Sequence, residues 1–366
     1  MNGAAGWRRP WGLLFGAGLA AATLSACQGR YLLTQAAGQA RILSGTESVR
    51  AMLDDAAISR DTRAKLKWIL YAKDFGRRAG LKGWEAYEQY YDTGGGPVVW
   101  ALTVCPADSL EAHCWSFPIV GSVPYLGFFN RGTGRDEQEE WREKGYDTSL
   151  RPVSAYSTLG WFKDPVYSSM LADDVPDLVN TVLHEMTHAT VYFAGDADLS
   201  ESLATYIGDQ ACAECLAEGL GPSHPWIAEA RGRAADGTVV SEFVEALADK
   251  LRAVYKDPSL SREQKLAAKA EALAAAPADW DLRAKGLKTD AYEGLARRKL
   301  NNAVICGWLT YVRDISIWEK LAARLGGGYR AVLPVAEEAA NSGDPEKYLK
   351  DRAEGAAGLS QGKDGR

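Results

Sequence analysis

Between Tyr31 and Ala79, apolar residues recur at helical spacing. Leu53, Ile58, Leu66, Ile69 and Leu70 stand against charged partners, which predicts helices. Near Val98 the pattern changes. Val98-Val99-Trp100-Ala101-Leu102-Thr103-Val104 is a β-branched and aromatic run, and shorter strand-like runs follow at Phe117–Val123 and Ala155–Phe162, broken by Gly and Pro. Between them, the polar stretch Gly132–Lys144 predicts a helix starting near Asp136. From Pro176 to Ala353 the spacing is helical almost throughout. Within it, Ser261–Ala276 is rich in Ala, Lys and Glu and predicts a solvated helical arm, most simply one limb of a structural hairpin. The fold class expected is α+β, mostly α-helical, with a small β region at about 98–162. The Gly-rich, polar residues 355–366 are expected to be a disordered tail, leaving 27–354 as one domain.

Composition narrows the class. A chain of 366 residues, 25% charged and 46% hydrophobic, is that of a globular protein, which excludes collagen-like repetition, wholesale disorder and a polytopic membrane protein. A net charge of −6 argues against a nucleic-acid partner. The N-terminus has its own pattern. Arg8 and Arg9 precede an apolar run from Trp11 to Ala22 that is too short to span a bilayer, and Leu24-Ser25-Ala26-Cys27 follows. This predicts a signal peptide over 1–26. The tetrapeptide resembles the bacterial lipobox, which implies lipidation of Cys27, attachment to the membrane through that lipid, and a chain facing the periplasm. Gln28 resembles the residue that sends such lipoproteins to the outer membrane. Loss of Arg8 and Arg9 would take the net charge from −6 to −8.

Cys105, Cys114, Cys212, Cys215 and Cys306 would then lie in an oxidising compartment, where disulfide or packing roles are expected. Cys105 and Cys114 could close a short hairpin loop. Cys212-Ala213-Glu214-Cys215 fits a helix, and no second such pair exists to complete a zinc knuckle.

The chemistry concentrates at His184-Glu185-Met186-Thr187-His188, which takes two of the four histidines in the chain. Asp173, Asp174 and Pro176 predict the start of a helix there, and Gly195 its stop. At ~100° per residue, Val179, Val182, Leu183, Met186, Ala189, Thr190 and Phe193 form one apolar stripe, with His184 and His188 nearly opposite it. Imidazoles four residues apart on a helix can aim at one Zn²⁺, and Glu185, at the edge of that face, is placed to act as general base on a metal-bound water. A catalytic ion needs a third ligand and an open position. No histidine follows closely, since His224 lies far downstream. Glu201, in the first turn of a following helix, is the natural candidate, although Asp198-Leu199-Ser200-Glu201 also fits a capping box in which the acid serves only the backbone. Asp196, Asp198, Asp209 and Glu214 are fallback ligands.

Glu201-Ser202-Leu203-Ala204 after the histidine pair resembles the gluzincin metallopeptidases. More narrowly, the chain resembles the bacterial predicted aminopeptidases, on Trp115–Gly121, Val123–Phe129, Ala155–Phe162, Asn301-Asn302-Ala303 and Tyr311. The resemblance implies a zincin-like core, with the small sheet ahead of the metal-binding helix. It also implies one zinc per chain, held by His184, His188 and Glu201, with Glu185 as base and a peptide as substrate. By analogy, Tyr156, Ser157, Thr158, Leu159 and Gly160 would lie on the edge strand that aligns the peptide. Tyr311, with Tyr156 second, would stabilise the oxyanion. The connection from His188 to Glu201 is shorter than is usual in gluzincins, and Thr205 stands where some of them carry an acid that buttresses a histidine. Asn180 or Asp209 could fill that role. The function expected is an exported, lipid-anchored zinc aminopeptidase. The rivals are an envelope lipoprotein with a structural zinc, its fourth ligand His224 or a cysteine, and a zinc amidase acting on cell-wall peptides.

Overall fold

A computed structural model describes residues 29, 31–83, 86–117, 121–153, 164–310 and 314–355. The chain divides into two units, Met1–Thr46 and Glu47–Arg366. In the first, 31–44 form a helix, α1. Cys27 and the signal-like segment lie outside the described residues, as do Tyr156, Ser157, Thr158, Leu159, Gly160 and Tyr311. No helix among the described residues is long and apolar enough to cross a membrane.

The second unit is mostly helical with small sheets, as expected of an α+β chain. It opens with β1 (Glu47–Ser48), α2 (Val49–Asp54) and α3 (Arg60–Arg78). Strand β1 pairs antiparallel with β2 (Gln89–Tyr91). The aromatic run is β3 (Val99–Pro106), followed by the hairpin of β4 (Trp115–Phe117) and β5 (Gly121–Val123) and then β6 (Leu126–Phe128). Strand β3 is the centre of an antiparallel sheet, flanked by β6 on one edge and β7 (Tyr146–Val153) on the other. Strand β7 escapes the hydrophobic pattern because Tyr-Asp-Thr-Ser-Leu-Arg-Pro-Val is mostly polar. Its pairing is nevertheless continuous with β3, from Val99 opposite Val153 to Pro106 opposite Tyr146. Short β8 (Val166–Tyr167) runs parallel to β2. The helix expected near Asp136 is α4 (Arg131–Glu143) and starts five residues earlier. The Asn130 side chain accepts hydrogen bonds from the backbone N–H groups of Gly132 and Thr133 and so caps it there.

The remaining helices are α5 (Val175–Thr190), α6 (Ala197–Leu220), α7 (Pro225–Lys256), α8 (Arg262–Arg283), α9 (Asn302–Leu309), α10 (Ser316–Leu325), α11 (Gly328–Ala340) and α12 (Pro345–Glu354). Helix α8 is a packed limb rather than a solvated arm. Ser261 and Gln264 form its capping box, and Ala272, Ala276 and Trp280 bury against Phe243 and Val244 of α7 and Ile305 of α9. Its Lys269 is also buried and is paired with Asp147 of β7.

Helix α5 packs between α3 and α6. Asp174 caps its N-terminus by accepting from the Asp177 N–H at 3.0 Å. The apolar stripe faces α3, where Gly76 leaves room for Met186 and Leu183. The helix ends at Thr190, before Gly195, because Phe193 leaves the helical path to bury beside Trp318 and donates its N–H to Ser200 Oγ at 3.0 Å. Gly195, at φ +84°, belongs to the turn into α6. Helix α6 buries residues all round, including Leu203, Ile207, Ala211 and Leu216, so it supplies a second wall over the face of α5 opposite the stripe.

Candidate metal centre

Because α6 crosses that face, the histidines point into protein and not to bulk solvent. His188 is buried and His184 half-buried, and Glu201 lies opposite them at the start of the second turn of α6. His184 Nε2 is 3.1 Å from His188 Nε2 and 3.4 Å from Glu201 Oε2, while His188 Nε2 is 3.5 Å from Glu201 Oε1. In a tetrahedral site with metal–ligand bonds of ~2.0–2.1 Å, neighbouring ligand atoms stand ~3.3–3.4 Å apart. The three measured separations are therefore close to the edges of a coordination tetrahedron, and the cluster could hold a metal ion.

Capping does not explain Glu201. Asp196 is the N-cap residue of α6 and accepts from the Leu199 N–H at 2.8 Å, leaving the Glu201 carboxylate to the imidazoles. Three of the four fallback ligands are engaged elsewhere. Asp196 caps, Glu214 pairs with Arg330, and Asp209 accepts from Asn180 Nδ2 at 2.8 Å. Among the described residues, no further His, Cys, Asp or Glu joins the cluster. His224 caps α7 instead, its Nδ1 accepting from the Trp226 N–H at 3.3 Å.

The electrostatics fit a cation. Burial alone would push the Glu201 pKa up, but the two imidazoles hold it well below the usual carboxylate range. Burial pulls the His184 imidazole down, yet Glu201, Glu185 and Asp209 outweigh that and hold its pKa above the ordinary value. Three carboxylates, Glu201, Glu185 and Asp209, thus act on the His184 imidazole. Among the described residues, Glu185 Oε2 and His188 Nδ1 are buried atoms with no hydrogen-bond partner. Leaving a carboxylate oxygen without a partner at such a depth costs free energy.

Asn180 and Asp209 act as a pair. Their hydrogen bond links α5 to α6 beneath His184, where a Cβ added at Gly208 would lie 3.4 Å from His184 Cβ. Tyr87 is a residue that the sequence does not advertise. It is buried, holds a left-handed backbone at φ +62°, and has its pKa pushed up by burial and by the Glu185 and Asp164 carboxylates. A tyrosine at positive φ leaves no trace in a hydrophobic pattern.

A cavity of about 900 Å³ opens beside His184, walled by α5, α6, α7 and α10. Among the described residues, Asp177, Asp209, Glu242, Glu245, Asp314 and Glu319 line it together with Arg233. Arg233 is itself paired with Asp174, Asp177 and Glu229. Glu242 and Glu319 come from helices distant in sequence, so no local motif could have revealed them. Asn301 and Asn302 have a structural part. Asn302 Nδ2 donates to the Pro106 and Ser109 carbonyls at 2.9 Å each, and Asn301 Nδ2 to the Thr148 carbonyl at 3.1 Å, latching α9 onto the sheet.

Residues 30–348 match the family described as Putative aminopeptidase. No curated protein and no solved structure matches the chain.

Proposed function

The chain belongs to the Putative aminopeptidase family, and from that premise we propose that it is a zinc-dependent aminopeptidase of the gluzincin type, with a zincin-like core. The observation that carries this is the triangle of 3.1, 3.4 and 3.5 Å between His184, His188 and Glu201, two neutral-capable imidazoles and one carboxylate, the donor set of a catalytic zinc. Those three side chains would hold the ion, leaving one position open. A bound zinc supplies Lewis acidity and brings the pKa of water toward ~7.

The remaining steps fall to the chain's own groups. Glu185 accepts the proton of the attacking water at its Oε2, which has no partner among the described residues, and returns it to the departing amine. Asp209, held by Asn180, keeps negative charge beneath His184 and so supports its imidazole as a ligand. The cavity beside His184 seats the substrate. Among the described residues its lining carries six carboxylates, which suit a free α-ammonium better than a peptide C-terminus and favour cleavage from the N-terminal end. Tyr311 as oxyanion donor, and Tyr156–Gly160 as the strand that aligns the peptide, complete the proposal on sequence grounds. Export with a lipid on Cys27, and a periplasm-facing chain at the outer membrane, rest on Leu24-Ser25-Ala26-Cys27 and belong to the same proposal.

Peptides with a free amine, compared with their N-acetylated forms, test it on the purified chain. Cleavage of the free-amine series alone, abolished by chelation and restored by zinc, is expected. Glu185→Gln should retain zinc and lose at least ~100-fold in turnover. Undiminished turnover in that variant would remove the proposed base, and equal cleavage of acetylated peptides would remove the exopeptidase assignment.

A further inference from the structure

Cys105 ends the buried run of β3 and Cys306 sits in the middle of α9; 201 positions separate them in the chain. In the fold both are buried, packed with Ala303, Leu110 and Ala112, and their Sγ atoms are 3.1 Å apart. The expected partner, Cys114, is exposed and turned to its own loop, its thiol donating to the Ala112 carbonyl at 3.6 Å. We propose that Cys105 and Cys306 are joined by a disulfide in the folded chain, fastening β3 to α9.

The sulfurs are brought together by other bonds. Asn302 Nδ2 holds the Pro106 and Ser109 carbonyls, its backbone N–H donates to Asp147 Oδ2 at 2.7 Å, and Asn301 Nδ2 holds Thr148. With both elements fixed on either side, a bond of ~2.05 Å requires an approach of only about 1 Å. As thiols the two are poorly served. Cys105 can reach the Ser109 carbonyl at 3.1 Å and Cys306 the Leu110 carbonyl at 3.5 Å, and both are weak donors. Cys212 and Cys215 differ, being buried within one helix, with Cys212 donating to the Pro176 carbonyl.

The reaction is a two-electron oxidation. Each thiol gives up one proton and one electron, the S–S bond forms, and a disulfide-class oxidant is reduced to two thiols through a mixed disulfide. The hydrogen bond to Cys306 and burial both push the Cys105 thiol up, so the bond forms during folding, before the site closes. The resulting loop contains His184, Glu185, His188 and Glu201, so one covalent tie encloses the whole candidate metal centre. It does not depend on the metallopeptidase proposal, and chelators should leave it untouched.

The test is mass spectrometry on the full chain, refolded from the reduced, urea-unfolded state in a glutathione redox buffer. The sample is then quenched by denaturation with N-ethylmaleimide and digested without reductant. A linked peptide carrying Cys105 and Cys306 is expected, with Cys212 and Cys215 alkylated. Recovery from the periplasm of a bacterial host and identical quenching gives the same readout without refolding. Reductant should lower the urea midpoint of the wild-type chain and leave that of Cys306→Ala unmoved. Alkylation of both Cys105 and Cys306 in a chain that is folded by circular dichroism would overturn the proposal, as would an equal response of Cys306→Ala to reductant.

Discussion

Replacing Asp209 by Asn should strengthen the metal-free fold while weakening the site it serves. Burial lifts the Asp209 carboxyl from 3.8 to about 6, although Asn180 and the nearby His184 imidazole work in the opposite direction. Two pH units at ~1.36 kcal/mol each correspond to about 3 kcal/mol, and because the residue is half-buried and not sealed, about 1–2 kcal/mol is the better expectation. The sign follows from proton binding. Between pH 3.8 and 6 the folded state holds a proton that the unfolded chain has lost, so this group's contribution to stability falls as pH rises through the window. Below 3.8 the penalty is absent, and above 6 it is complete. Asn keeps the Oδ1 acceptor for Asn180 Nδ2 and carries no charge. Urea unfolding of chelator-treated protein from pH 4 to 8 should therefore show Asp209→Asn more stable by about 1–2 kcal/mol at pH 7, the gap closing toward pH 4. With zinc present the order reverses in function, because loss of a charge supporting a ligand costs ~10–100-fold in metal affinity. A variant less stable than wild type at pH 7, or a gap independent of pH, would refute the electrostatic account of the α5–α6 contact.

Gly83→Ala should cost ~2–4 kcal/mol in urea unfolding. The residue stands at φ +78°, and an added Cβ would lie 2.7 Å from Ala189 Cβ, next to His188, so zinc affinity should fall with stability. Asp236→Ala should cost about 2–4 kcal/mol, since the buried carboxylate accepts from the Lys288 and Thr289 N–H groups at 2.6 and 2.8 Å and from Thr289 Oγ1 at 2.6 Å. Asp236→Asn, which preserves an acceptor, should lose less in the same melt.

The helix of the histidine pair was legible because its signals are local: Asp174 as cap, Pro176 in the first turn, an apolar stripe, and two histidines one turn apart. Glu201 could be nominated because only one short turn separates α5 from α6, which limits where the next carboxylate can fall. Other features depended on contacts that spacing does not encode. Strand β7 is polar in pattern and is fixed by its pairing with β3. The end of α5 was misplaced because Phe193 is drawn out of the helix by Trp318, far along the chain. Similarly, Cys105 was matched with its sequence neighbour Cys114, while the fold sets it against Cys306. The acids Glu242 and Glu319 are brought into one cavity with His184 by the packing of α7 and α10, and nothing near either residue hints at it.

Anomalous diffraction at the zinc edge, from crystals of the purified chain, addresses the ligand set without relying on any substrate. One peak is predicted inside the triangle of His184 Nε2, His188 Nε2 and Glu201, at ~2.0–2.1 Å from each. A zinc-supplemented crystal with that triangle empty, or with zinc bound only at other residues, would contradict it.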